Sequence, residues 1–235
     1  MQPGGTAASP GLRDRVGILQ HSLIRARSTA GVPVHRGPSV LSTMRLAWAA
    51  LALLAGAAAS AAEVEGIKLP ERIRIAADGP ELVLNGAGVR VRLIFFKVYV
   101  AALYLPVKTD DGESIIRDSR PSRLFMQMLR DLSVEQLTSS IDEALRETLT
   151  PEERLPLEPR LKQFTAIFDT LPEVKEGMQI TIDYLPQPGT VIRVNGEEKG
   201  RIPGADFNQA LLRIWIGDRP RDPELKKALL GIGSK

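Results

Sequence analysis

Residues 84–106 carry the clearest alternation of apolar and polar positions in the chain. Val89, Val91, Leu93 and Phe95 fall on one parity and Arg90 and Arg92 on the other, behind a glycine-rich entry, Gly86-Ala87-Gly88. A period of two predicts a strand. From Phe96 onward the residues are apolar on both parities and β-prone, with Val98, Tyr99, Val100 and Tyr104 before Leu105. A strand of that kind is covered on both faces. Cations entering a covered sheet need an anionic partner or a route to solvent, so Arg90, Arg92 and Lys97 must be accounted for first.

The flanking pattern fills in the elements. Residues 67–75 read as extended, and Asp78-Gly79-Pro80 predicts a turn into Leu82-Val83-Leu84, so one or two strands precede the central stretch. After a polar turn at 109–112, residues 114–118 suit a short helix and 123–130 a further strand. Ser133 with Gln136 forms a capping box, and Leu137, Ile141, Leu145 and Leu149 then recur every fourth position as one helical stripe. A second helix is expected over 158–171, with Leu161, Phe164, Ile167, Phe168 and Leu171 inward. Strands follow at 178–185 and 190–194, and Asn195-Gly196 predicts a tight hairpin into 197–202. Helices over 206–216 and from Asp222-Pro223 to Gly231 close the pattern. Strands, then helices, then strands, then helices imply an α+β fold, with a twisted antiparallel sheet covered by helices on one face.

Composition changes the reading of the first 62 residues. Met44-Arg45 precedes an uncharged, Ala- and Leu-rich run over 46–62 that ends in small residues, the parts of a secretory signal peptide with cleavage expected after Ala61 or Ala62. The run is short and Ala-heavy for a stable membrane span. Residues 1–43 hold five arginines against Asp14 and read as a disordered or mis-annotated extension, leaving 63–235 as the functional domain. A periplasmic or secreted product is therefore expected.

Residues 1–62 contain 6 of the 31 basic and 1 of the 28 acidic residues, so the remainder holds 25 and 27, a net charge of −2 rather than +3. The basic balance of the whole chain is thus no argument for nucleic-acid binding. Both histidines, His21 and His35, lie in the same leader, and the chain has no cysteine. Beyond residue 62 this excludes thiol nucleophiles, His-assisted serine nucleophiles and zinc sites of the usual ligand types. No motif supports a Ser–Lys arrangement or a carboxylate-only metal site, and no metal or cofactor is expected.

Arg90 with Tyr99 is the sharpest candidate for chemistry. A guanidinium fork matches a carboxylate, and a phenol beside it can donate one more hydrogen bond. Two readings stand open for Arg90: it holds the head of a lipophilic acid whose tail lies between sheet and helices, or it ends in a structural ion pair with an acid such as Asp142, Glu143 or Asp183. Arg92 and Lys97 read as rim residues, Met126 and Met128 as core or pliable pocket wall, and Trp215 as core. Glu152-Glu153-Arg154 reads as a solvated face, and Gly86-Ala87-Gly88 is too loose for a dinucleotide fingerprint.

The run from Leu84 to Arg90, followed by Phe96-Lys97-Val98-Tyr99-Val100-Ala101-Ala102-Leu103-Tyr104-Leu105, resembles the opening strands of the chalcone isomerase-like family. Phe207-Asn208-Gln209-Ala210-Leu211-Leu212-Arg213-Ile214-Trp215-Ile216-Gly217-Asp218 is similar to its exported bacterial branch. The resemblance spans most of 63–235. It implies an open-faced sandwich, a large antiparallel sheet packed by a layer of helices, with a ligand cleft between them. It also implies that Arg90 matches the strand arginine shared by the isomerases and the fatty-acid-binding members. Tyr99 falls where plant isomerases have a catalytic threonine and is similar to the fatty-acid-binding branch, although the interval from Arg90 is shorter than in the plant enzymes. Where plant isomerases place a tyrosine and an asparagine, this chain has Leu137 and Ala144.

Two of the polar groups that ring closure requires are thus missing, which favours a non-catalytic binder of a lipophilic carboxylate, and a monomer is expected. The alternative is an intramolecular lyase or isomerase with Arg90 stabilising an oxyanion and Tyr99 as acid. A ligandless interaction module would show Arg90 paired internally and no cavity.

Overall fold

A computed structural model describes residues 61–93 and 95–233. The extension expected over 1–43 and nearly all of the expected signal peptide lie outside the described residues. Only Ala61 and Ala62 of that segment fall inside, at the start of the first strand.

The strands are β1 (Ala61–Val64), β2 (Ile67–Pro70), β3 (Arg72–Arg74), β4 (Glu81–Arg92), β5 (Phe96–Leu105), β6 (Ser122–Met128), β7 (Gln179–Leu185), β8 (Gly189–Val194) and β9 (Glu197–Ile202). The helices are α1 (Gly112–Asp118), α2 (Val134–Thr148), α3 (Pro151–Arg154), α4 (Glu158–Asp169), α5 (Ala205–Ile216) and α6 (Pro223–Leu229). Strands β3 to β9 form a seven-stranded antiparallel sheet in sequence order, with β1 and β2 as a separate hairpin. The expected α+β architecture, a large antiparallel sheet with helices packed on it, is the one observed.

Side-chain parity explains the two faces. Tyr99, Ala101 and Leu103 of β5 pair with Met128, Met126 and Leu124 of β6, and these continue to Ile180 and Ile182 of β7. That surface meets the apolar stripes of α2, α4, α5 and α6, including Leu145, Phe164, Phe168, Phe207 and Leu225, in the main core. The opposite parity, Val100, Ala102 and Tyr104 with Leu82 and Leu84, packs with Leu69 of the β1–β2 hairpin in a second core. Strand β5 is thereby covered on both sides, as its unbroken apolar run predicts. Strand β1 is a departure from expectation. Its Ala61-Ala62-Glu63-Val64 run gives little periodic signal, and its pairing with β2 rests on the Glu65-Gly66 turn.

Caps fix the helices that line the cleft. Ser133 accepts from Gln136 N at 3.0 Å while Gln136 Oε1 accepts from Ser133 N at 2.9 Å, the predicted box at the start of α2. The expected helix over 158–171 is preceded by α3 and a 3-10 turn, Leu155–Leu157. Arg154 departs from the solvated-face reading: its side chain is 15% exposed and bridges Asp142 and Glu158, tying α2 to α4.

On the second face, Asp183 is fully buried. Arg123 grips it with two donors, one at 2.7 Å, and Arg193 donates to the same carboxylate. Arg123 and Asp183 are cross-strand neighbours, so their meeting follows from register.

Candidate functional site

The site begins with glycines. A Cβ at Gly86 would lie 2.1 Å from the Ala228 carbonyl oxygen and 2.7 Å from that of Leu229, and one at Gly88 would lie 2.6 Å from the Ala228 Cβ. Helix α6 therefore rests on a bare strip of β4 that no larger residue would allow. Asn85, at the β4 irregularity, fastens the end of α6: its Nδ2 donates to Leu229 O at 2.8 Å, and its Oδ1 accepts from Thr109 N at 2.8 Å. The loose Gly-Ala-Gly entry is a helix seat.

Seating α6 there carries its N-terminus to Arg90. Asp222 caps the helix, its Oδ1 accepting from Leu225 N at 3.0 Å. Its Oδ2 accepts from Arg90 Nη1 at 2.9 Å and more weakly from Val91 N at 3.4 Å. The two side chains are 17% and 14% exposed. Arg90 thus has an internal ion pair, but with Asp222 rather than Asp142, Glu143 or Asp183. Asp142 is held by Arg146 and Arg154, Glu143 by Arg221, and Asp183 by Arg123 and Arg193 on the sheet's other face.

Tyr99 is the cross-strand neighbour of Arg90. Its hydroxyl oxygen accepts from Trp215 Nε1 at 2.9 Å. An indole N–H can only donate, so the phenol keeps its own proton for another acceptor. Burial raises the Tyr99 pKa above the ordinary phenol value, against the opposing pull of the Trp215 hydrogen bond and the Arg90 charge. The phenol is therefore a donor at neutral pH.

Arg90, Tyr99, Trp215 and Asp222 line one cavity of about 60 Å³ between sheet and helices. Its walls are mainly apolar, with Met126, Ile180 and Ile182 from the sheet and Leu137, Ile141, Ala144 and Phe164 from the helices. Ser140 and Arg221 supply further polar lining, and Arg221 donates to the Ser140 carbonyl at 3.2 Å. Both bonds from Arg90 leave from Nη1, one to Asp222 and one to Val91 O at 3.1 Å. Among the described residues no acceptor engages its Nε or Nη2.

The expected pair, Arg90 and Tyr99, is thus brought together. Met126 is cavity wall, whereas Met128 is buried in the core. Arg92 and Lys97 are exposed, and Lys97 pairs with Glu65 at 2.6 Å. Sequence reasoning missed Asp222, visible only as a helix cap, and the polar role of Trp215, taken for core alone. The signal for Asp222 was present in Gly86 and Gly88, which require a close neighbour just before Arg90. Nothing local links Trp215 to Tyr99. Among the described residues no three His, Cys, Asp or Glu side chains could hold a metal ion, and no helix is long and apolar enough to cross a membrane.

The fold recurs in a crystal structure of a fatty-acid binding protein from Arabidopsis thaliana. That match has a TM-score of 0.59 and 14% sequence identity, covering 73% of this chain and 96% of the other. No curated protein sequence matches the chain. The family model described as chalcone isomerase-like matches residues 61–231, which takes in both sheet faces, the glycine seat and α6. On that match and this fold, the chain belongs to the chalcone isomerase-like family.

Proposed function

We propose that the chain binds a fatty acid or similar lipophilic carboxylate without catalysing a reaction, its head group held by Arg90 and Tyr99. The observation that carries this reading is the set of unspent donors at an apolar cavity. Arg90 retains Nε–H and Nη2–H, and Tyr99 retains its hydroxyl proton because Trp215 occupies the oxygen. These groups suit a carboxylate. The fatty-acid binding named for the Arabidopsis neighbour agrees with this ligand class.

A cavity of about 60 Å³ admits small groups only. Pockets for drug-sized ligands run from about 300 Å³ upward. An acyl tail must therefore displace the inner walls, and Met126 and Leu137 are the adaptable side chains in its way. Binding should accordingly rigidify or spread the α2–α5 layer rather than fill a preformed tunnel. The lyase alternative gains no support from the wall, since Leu137 and Ala144 line it with carbon. Burial, which raises the Tyr99 pKa, also makes the phenol a weaker general acid, the role that alternative gives it.

Titration of delipidated protein with a fluorescent fatty-acid analogue, together with native mass spectrometry, tests the reading. Saturable binding that falls at least about tenfold in Arg90→Gln is expected, the scale of a lost charge-assisted contact. Absence of binding by the unmodified chain, or equal binding by Arg90→Gln, would sink it.

The same reading takes residues 44–62 as a signal peptide and 63–235 as an exported product of the bacterial branch. Supporting it are the uncharged run over 46–62 and its small-residue end. N-terminal sequencing of the chain from fractionated cells should give a start at Ala62 or Glu63 in the exported fraction. A cytoplasmic product that retains residue 44 rejects export.

A further inference from the structure

The hairpin joining β4 to β5 is built unlike the β8–β9 hairpin of the same sheet. At the β8–β9 turn the left-handed positions are Asn195 and Gly196, with φ of 49° and 82°, and both are exposed. Those are the residues such a turn selects. At the β4–β5 turn the left-handed position is Leu93, with φ of 48°. A branched apolar side chain is unfavourable in that conformation. Leu93 is nevertheless 77% exposed, and beside it Phe95 is 81% and Phe96 49% exposed. Single exposed hydrophobics are ordinary. Here three of the six large exposed hydrophobic side chains among the described residues fall within four positions.

Cations surround this tip. Arg92 and Lys97 are exposed on its two strands, and the Arg130 guanidinium lies 5.4 Å over the Phe96 ring. Lys97 is paired with Glu65. Among the described residues Arg92 and Arg130 have no carboxylate within ion-pair distance. Three apolar side chains fall far short of the roughly 20–30 residues a side that a stable protein interface uses. Aromatic and aliphatic side chains at a projecting end, ringed by unpaired arginines, match instead the chemistry of a bilayer interface with anionic headgroups.

We propose that Leu93, Phe95 and Phe96 form a wedge that docks the protein on an anionic lipid surface, with Arg92 and Arg130 seated on headgroup phosphates. Arg90 lies two residues from Arg92 on β4, and Tyr99 is its cross-strand neighbour. Docking therefore brings the base of this hairpin, where the cavity lies, close to the membrane. The wedge rests on the hairpin alone and holds whatever the cavity binds.

Flotation with phosphatidylcholine vesicles, with and without roughly one-third phosphatidylglycerol, tests the proposal. The unmodified chain should bind the anionic vesicles and bind the neutral ones more weakly. Leu93→Ser/Phe95→Ser should weaken that binding at least about tenfold. Arg92→Gln/Arg130→Gln should weaken it by about tenfold or more on anionic vesicles only. Leu93→Gly guards against misfolding: glycine relieves the left-handed backbone, so this variant should melt no lower yet bind less. No binding to anionic vesicles, equal binding to neutral ones, or equal binding by Leu93→Ser/Phe95→Ser would each overturn the proposal. So would concentration-dependent dimerisation abolished by that same variant, which would assign the tip to a second copy of the chain.

Discussion

Asp222→Asn separates the structural and ligand-binding roles of the Arg90 pair. Asp222 uses one oxygen to cap α6 and the other to accept from Arg90. Asparagine keeps one acceptor and replaces the other with an amide donor, so it must give up either the cap or the guanidinium. Losing a cap costs about 1 kcal/mol. Breaking an ion pair costs under about 1 kcal/mol at an exposed site and about 3–5 kcal/mol at a fully buried one. With side chains 14% and 17% exposed, this pair lies towards the buried end. A loss of about 2–3 kcal/mol is expected, or roughly 5–10 °C in melting temperature for a domain of this size.

The effect on a bound carboxylate has the opposite sign. A ligand head group at Arg90 would sit near the Asp222 charge, and two like charges about 5 Å apart repel by about 3 kcal/mol at an effective dielectric constant near 20. Discounted for solvent, that is about a tenfold gain in affinity for the neutral variant. Thermal denaturation followed by titration with a fluorescent fatty-acid analogue measures both effects on one sample. A less stable protein that binds more tightly is the expected outcome. Equal or weaker binding in a folded Asp222→Asn would refute competition between Asp222 and ligand, and with it the idea that Arg90 is a shared donor.

Other consequences are open to measurement. Gly86→Ala forces a Cβ against two backbone carbonyls of α6, which cannot rotate aside, so unfolding by urea should come about 3 kcal/mol earlier; an unchanged midpoint would contradict the glycine seat. Asp183→Asn leaves Arg123 and Arg193 on a buried partner without charge and should cost about 3 kcal/mol, and a loss near zero would show that the cluster is not held by charge. All three tyrosines of the chain, Tyr99, Tyr104 and Tyr184, have pKa values raised by burial, Tyr104 to about 12. The folded state holds these protons more tightly than the unfolded chain. Their contribution to stability is complete below about pH 10 and is lost as pH rises from there through about 12. Phenolate absorbance of the folded protein should lag that of the denatured chain, and coincident curves would argue against burial of the hydroxyls.

The periodicity of the chain made the sheet legible, because strand parity is a local property. The cross-strand meeting of Arg90 and Tyr99 follows from the same hairpin. The partner of Arg90 was not legible that way. Asp183 was a reasonable candidate by charge, yet its register with Arg123 sends it to the opposite face. Asp222 reaches Arg90 through tertiary docking, and its cap signal used only one of its two oxygens. Trp215 looked like core because its indole is mostly apolar, and a single N–H bond to Tyr99 leaves no periodic trace. Leu137 and Ala144, which the family resemblance singles out, line the cavity.

Helix α6 has a kinetic consequence. Within β3–β4–β5 and β7–β8–β9 each strand meets its sequence neighbour through a short turn, whereas residues 129–178 separate β6 from β7 and the Arg90–Asp222 bond joins residues 132 apart. A seven-residue helix has little stability of its own and persists only while seated. It should therefore be among the last pieces to settle during folding and the first to lift away. Amide hydrogen exchange should report α6 opening as a partial unit, at a lower free energy than the central strands β5 and β6. In that excursion Arg90 loses its internal counter-charge while the sheet beneath it stays whole.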